Sequence, residues 1–309
     1  MPEPASLKKG YSEAVIKEIL GPGGSSTPVL IIAGHMDDEA IGAAGMLKYL
    51  KNLSVLHITD GAARNGRAAR ARGYATREGY ARARGAELRE ALSRMLCQPM
   101  DLTTLAVPDL DASYNLPAIT HGVKEIIARH SPAVVITHPY EGGHPDHDSA
   151  AFAVSAACMI ISKEGKTPPV IQEFTSYHGE GRKMVTSRFL HSRADEACVE
   201  LSEEERVFKE EMLSCYRTQK GALKNFPIGV ERFRKAPVYD FSSPPHEGRL
   251  FYQHFDWGLP GRMWPSLAVK AMRELGIGEG RTRRDFSEFS PRAVYRYMKY
   301  LRNRSAFFS

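Results

Sequence analysis

The strongest constraint on the fold is a repeated alternation of short, uninterrupted apolar runs with helix-period segments. Pro28 to Gly34 reads as a continuously apolar strand, and a helix follows from about Glu39 to Lys51. Leu53 to Thr59 is a second such run, and after a Gly-, Ala- and Arg-rich loop from Asp60 to Ala75 a helix is expected from Thr76 to Cys97. Leu102 to Val107, a helix near 117–130, Ala133 to His138 and a helix from about Ser149 complete the series. Strands apolar on both sides need cover on both faces, and strands separated by helices are joined by crossovers. The expected class is therefore α/β, a Rossmann-like, mainly parallel sheet with helices on both faces. The first strand-to-helix turn lacks GxGxxG, which weighs against dinucleotide binding.

The pattern weakens on either side. Residues 1–26 predict a short helix (Tyr11 to Leu20) and a Gly-Pro-Gly-Gly-Ser-Ser hinge at 21–26. Past residue 170 come strand-like runs at Val170 to Tyr177 and Met184 to Leu190, then a helix announced by the capping box of Ser202 and Glu205. Beyond Gln219 the chain is rich in Pro, Gly and aromatics and shows no clear period. The expected division is an N-terminal helix and hinge (1–26), a Rossmann-like domain (27–220) and a less regular C-terminal extension packing on the core (221–309). That extension is expected to end in a basic amphipathic helix from about Ser290, with Val294, Tyr297, Met298 and Leu301 on one side. Such a face suits docking on the body of the protein or on a second subunit better than an anionic membrane surface.

Composition excludes several classes. No run approaches the roughly 18 apolar residues of a membrane span, and the first 20 residues lack a secretory pattern, so the expected location is the cytoplasm. The four cysteines, Cys97, Cys158, Cys198 and Cys215, form no CxxC pair, so reduced structural thiols are expected and a thiolate zinc site is not. The formal charge of +6 is concentrated in two arginine-rich stretches, 64–94 and 281–304, leaving an acidic remainder. Two patches on such a body suit local anion contacts, not nucleic acid.

Two motifs carry chemistry. Gly34-His35-Met36-Asp37-Asp38-Glu39 directly follows the first strand, and His144-Pro145-Asp146-His147 lies in the loop after the fourth. Open parallel sheets place ligands outside the carboxyl ends of their strands, and in the doubly wound order the first and fourth strands are neighbours, so the two loops face each other. Catalytic zinc takes three imidazole or carboxylate ligands and leaves a position for water. His35 and Asp38, three apart at a turn entering a helix, can point one way, and one histidine of 144–147 completes the set. The ion would bring its water's pKa from 15.7 to about 7. Asp37, pointing aside, can accept the water's proton and later deliver it to a leaving amine. The remaining histidine can donate to the developing oxyanion, and Asp146 can orient a histidine. Glu39 reads as a first-turn acid without catalytic duty, His57 as structural, and His138 as a residue that could line the site.

These segments resemble the PIG-L superfamily (LmbE-like) of zinc-dependent N-acetylglucosaminyl deacetylases. GHMDDEAIGAAGML, ITDGAARNG and THPYEGGHPDHDSA follow the family's order and spacing, and the likeness runs over about residues 28–220, including Cys215-Tyr-Arg-Thr-Gln219. The resemblance implies His35, Asp38 and His147 as ligands of one zinc, or of another divalent transition metal, with Asp37 as base and His144 as oxyanion donor. It implies substrate contacts at Arg84, in an Arg-x-x-Glu with Glu87, and at Asp109. Met36 replaces a family proline that stiffens the turn, and Asp148 stands where the family often has a basic residue. The implied reaction removes acetyl from an N-acetylglucosamine-containing conjugate, a small-molecule partner, with poor activity on the free sugar. The Arg64–Arg94 stretch leaves room for an anionic aglycone. The alternative is a single-metal hydrolase acting on a non-sugar amide or a phosphate ester.

Overall fold

The computed structural model describes residues 11–278 apart from 20–23, 96–98, 100, 194, 256, 258, 260 and 261. The helix expected from Ser290 lies outside the described residues, as do Cys97 and part of the 21–26 hinge. No helix among the described residues is long and apolar enough to cross a membrane.

The elements in chain order are α1 (Tyr11–Ile19), β1 (Val29–Ala33), α2 (Asp38–Leu47), β2 (Leu53–Ala63), α3 (Arg67–Ala71), α4 (Arg77–Leu92), β3 (Asp101–Asp109), α5 (Leu116–His130), β4 (Val134–Thr137), α6 (Pro145–Lys163), β5 (Val170–Phe174), β6 (Tyr177–Glu180), β7 (Lys183–Thr186), β8 (Ala197–Glu200), α7 (Glu203–Cys215), α8 (Lys220–Leu223), β9 (Val230–Lys235) and α9 (Met263–Glu274). One sheet runs β3-β2-β1-β4-β5-β9-β8, and β6 pairs with β7 as a separate hairpin. Strands β1 to β5 pair in parallel, whereas β9 runs antiparallel to both β5 and β8. The fold is thus mixed α/β with a mostly parallel sheet and helices around it.

Strand β1 explains the continuous apolar run. Val29 and Ile31 point into one core, shared with α2, α4 and α7, while Leu30 and Ile32 point into another under α5 and α6. With period-2 alternation and both faces covered, every position is apolar. A third cluster, around Trp264, Tyr140 and Phe152, seats α9 on the outer side of α6. The sheet takes strands from both sides of residue 220, because β9 slots between β5 and β8.

Several boundaries differ from expectation. Helix α6 starts at Pro145, not near Ser149, because the His144 ring caps it, accepting from Asp146 N–H at 3.1 Å, and proline suits the first helical position. The expected Asp60–Ala75 loop is shortened by β2 continuing to Ala63 and by α3. The Val170–Tyr177 run divides into β5 and β6 around Thr175 and Ser176, where Thr175 N–H donates to Arg232 O of β9. The Ser202–Glu205 capping box forms as read from the sequence.

Helix α2 carries the first motif and is not regular. Ala43 leaves helical geometry (φ −147°, ψ 15°). Gly45 N–H and the Ile41 carbonyl, which a regular helix would join, bond to Glu231 Oε1 (3.0 Å) and Lys209 Nζ (2.8 Å). Lys209 and Glu231 pair with each other at 2.9 Å and are 0% and 1% exposed. Insertion of side chains into the helix ladder is a recognised cause of a kink. Here it fastens α2 to α7 and β9. Gly42 is required for the helix to lie on β5: a Cβ there would meet the Phe174 ring at 2.2 Å.

Candidate active site

The two motifs meet at the carboxyl ends of β1 and β4, which are neighbours in register (Ile31 opposite Ile136). His35 Nδ1 lies 3.3 Å from Asp38 Oδ2 and 3.1 Å from His147 Nε2, and His147 Nε2 lies 3.3 Å from Asp38 Oδ1. Ligands placed about 2.0–2.1 Å from one ion in a tetrahedron stand about 3.3 Å from each other, and the groups among the described residues that could hold an ion are His35 with His144 and His147, His35 with Asp109, His144 and Asp146, and Asp38 with His138 and His147. Burial disfavours the His35 imidazolium, but hydrogen bonds to Asp109, Asp146 and Asp38 outweigh it and hold the ring well above its ordinary pKa. Burial likewise opposes the Asp38 carboxylate, yet His147 and His138 hold it well below the ordinary range.

The outward-facing nitrogens are also engaged. His35 Nε2 meets Asp109 Oδ1 at 3.2 Å and Asp146 Oδ2 at 3.4 Å, while His147 Nδ1 meets Ser176 Oγ at 3.3 Å. Such outer partners fix a ligand's tautomer and ring orientation. Asp146 also accepts from Leu110 N–H (2.7 Å) and Ala112 N–H (3.2 Å), tying the second motif to the loop after β3. His144, accepting Asp146 N–H on Nδ1, must as a neutral ring carry its proton on Nε2. That leaves Nε2 as the ring's donor.

Asp37 Oδ2 lies 3.3 Å from Arg84 Nη2. Burial pushes its carboxyl up to about 6, against the pull of Arg84. Arg84, 4% exposed, also faces Met36 O (3.3 Å) and Gly61 O (3.5 Å), which puts its guanidinium against the base and the turn that carries it. Met36 anchors that turn by burying its side chain in the core, at 6% exposure, where a proline ring would have stiffened it. His138 is fully buried. Its Nε2 is 3.0 Å from Gly34 N and 3.2 Å from Asp38 Oδ2, and its ring stacks on His147 at 3.9 Å. Asp148, 1% exposed, accepts from Glu141 and Gly142 N–H and braces the loop before the second motif. Glu39 and His57 bond each other at 2.9 Å in the interior, with Tyr216 Oη donating to Glu39 at 2.5 Å. Thr218 N–H and Oγ1 donate to Glu87 (2.9 and 2.7 Å), which brings the late Cys215–Gln219 segment against α4.

Sequence reasoning missed Ser176 and the aromatic residues beside the site, Tyr177 and Trp257. Gly143 of the second motif is fixed by this contact, since a Cβ there would lie 1.9 Å from the Tyr177 carbonyl.

A family profile described as PIG-L, GlcNAc-PI de-N-acetylase, matches residues 30–158. A probable N-acetyl-alpha-D-glucosaminyl L-malate deacetylase 2 of Bacillus subtilis is 30% identical over 159 residues, 48% of this chain and 67% of that protein. The chain belongs to the PIG-L family. The Bacillus cereus protein of the same name is 31% identical over 148 residues, 46% of this chain and 65% of its own length. The chain thus spans about two thirds of the length of the curated relatives it matches. Among solved structures, the A40926 pseudoaglycone deacetylase aligns with a TM-score of 0.50 at 18% identity, over 70% of this chain and 99% of that one. A conserved protein of Thermus thermophilus aligns with a TM-score of 0.50 at 20% identity, over 72% and 100%. These two likenesses concern the fold alone.

Replacing His35, Asp38 or His147 with alanine is expected to reduce bound metal from about one per chain to a small fraction, because three protein ligands are the usual complement of such a site. Metal analysis after gel filtration checks this. Full retention in His147→Ala would transfer the ligand role to His144.

Proposed function

We propose that the protein is a zinc-dependent hydrolase that removes the acetyl group from an N-acetylglucosamine unit carried on a larger aglycone. The observation that carries this reading is the triangle of His35, Asp38 and His147 with Asp37 alongside but outside it. Zinc, when bound, supplies Lewis-acid polarisation of an amide carbonyl and makes nearby water easier to deprotonate. Asp37 takes a proton from the attacking water and returns it to the leaving amine. His144 donates from Nε2 to the oxygen that becomes negative as the carbonyl carbon turns tetrahedral. Asp109, Asp146 and Ser176 hold the rings of His35 and His147, and Arg84 holds the carboxylate of Asp37 toward the reacting water. The amino-sugar substrate follows from the names of the relatives and from the family, whereas the aglycone is open to experiment.

The test incubates the metal-loaded chain with N-acetylglucosamine, its conjugates, a simple N-acetyl amide and a phosphate ester. Acetate and free amine are expected from the conjugates, with a much slower rate on the free monosaccharide because remote binding energy positions the amide. Hydrolysis of the phosphate ester or the simple amide with every sugar untouched would overturn the reading.

A further inference from the structure

The candidate site has an aromatic flank that the catalytic reading does not use. From His144 the rings run to Trp257 (centroids 4.7 Å apart), from Trp257 to Phe255 (4.6 Å, stacked at 17°), and from Phe255 to Phe251 (5.0 Å). They continue from Phe251 to Tyr177 (5.8 Å) and from Tyr177 back to His147 (5.3 Å). The circuit begins and ends on the two histidines of the second motif, so it is continuous with the candidate centre. All four non-histidine rings, Tyr177, Phe251, Phe255 and Trp257, lie past residue 158, where the family match ends. Phe255 is 44% exposed, and Trp257 is half-buried beside it.

The charges beside Tyr177 argue against an anionic occupant. Asp37, Asp38, Asp109 and Asp146 all bear on Tyr177, and three arginines of the basic stretch are paired with carboxylates, Arg84 with Asp37, Arg77 with Asp60 and Arg64 with Asp111. Arg72 and Arg94 turn elsewhere, to Thr218 O and Cys215. An incoming carboxylate or phosphate would meet acids whose arginine partners are already engaged. A flat apolar group would meet the exposed ring of Phe255.

We propose that Tyr177, Phe251, Phe255 and Trp257 form an aglycone subsite beside the metal centre that takes an uncharged, ring-bearing group and so sets which N-acetylglucosamine conjugate the protein accepts. This rests on the deacetylase reading for the identity of the sugar, but the subsite itself is a binding statement. Offset-stacked and edge-to-face ring contacts are favourable beyond the area they bury, and two such contacts amount to about tenfold in affinity.

The experiment titrates the metal-loaded, full-length Asp37→Asn chain by calorimetry with phenyl and methyl N-acetylglucosaminides and with a malate conjugate. Acetate release by the unsubstituted chain is measured in parallel. The phenyl glycoside is expected to bind about tenfold more tightly than the methyl glycoside and more tightly than the malate conjugate. Adding Phe255→Ala should bring the phenyl-to-methyl ratio close to one, and Phe255→Tyr should restore it. A ratio near one in the parent chain, a ratio untouched by Phe255→Ala, preference for the malate conjugate, or no binding of the phenyl glycoside would each overturn the subsite. Failure to release acetate from any conjugate would instead remove the deacetylase reading, and the binding ratio would still decide the subsite.

Discussion

Asp37→Asn is expected to lower turnover by about 10²–10⁴-fold while leaving most of the metal in place. Asparagine keeps the size of the side chain and can still accept a hydrogen bond from Arg84, but it cannot take up a proton at neutral pH. Asp37 lies beside the donor triangle and not in it, since His35, Asp38 and His147 make the close contacts among themselves. The buried carboxyl, pushed up to about 6 with Arg84 opposing the rise, has the basicity to accept a proton from water and release it again. Metal content and kcat measured on the same preparation separate the two roles. A metal-free Asp37→Asn protein would mean that the roles of the two aspartates are exchanged.

Lys209→Met should destabilise the fold by about 3–5 kcal/mol, the usual cost of stripping one partner from a buried ion pair. The lost ammonium leaves Glu231 uncompensated at 1% exposure and frees the Ile41 carbonyl inside α2. Glu231 would still accept from Gly45 N–H, so the helix keeps one of its two side-chain tethers. The double variant Lys209→Met, Glu231→Leu removes both charges and is expected to recover most of the stability, because apolar replacements of buried pairs are often neutral. Denaturant midpoints measure both. A loss below about 1 kcal/mol in the single variant, well under that usual cost, would show that the pair does not hold α2 to α7 and β9.

How much of this could be read from the residues depended on what kind of signal each element carried. Strand β1 was legible because both its faces are buried and each position is therefore apolar. The meeting of residues 35 and 147 followed from strand order alone, since β1 and β4 adjoin at the switch point. Strand β9 was not legible. Val230-Glu231-Arg232-Phe233-Arg234-Lys235 reads as surface, yet Glu231 and Arg234 are buried, paired with Lys209 and with Glu173 (2.7 Å). A charged residue announces burial only when its partner is known, and these partners lie 22 and 61 positions away. Ser176 has no chemical signature, and its role arises because the chain turns between β5 and β6. The early start of α6 had a visible cue in Pro145, a residue favoured at the first helical position, but histidine is not an obvious cap. Arg84 was found by spacing, whereas its pairing with Asp37 depends on how α4 lies against β2 and the first motif.

The most direct measurement of the central claim is acetate release from an N-acetylglucosamine conjugate by the same preparation as purified, after chelation and dialysis, and after zinc is returned at one equivalent. Release is expected to fall to background on chelation and to recover on reloading, in step with metal bound per chain. Acetate release that persists at full rate in the chelated, metal-free protein would contradict the account.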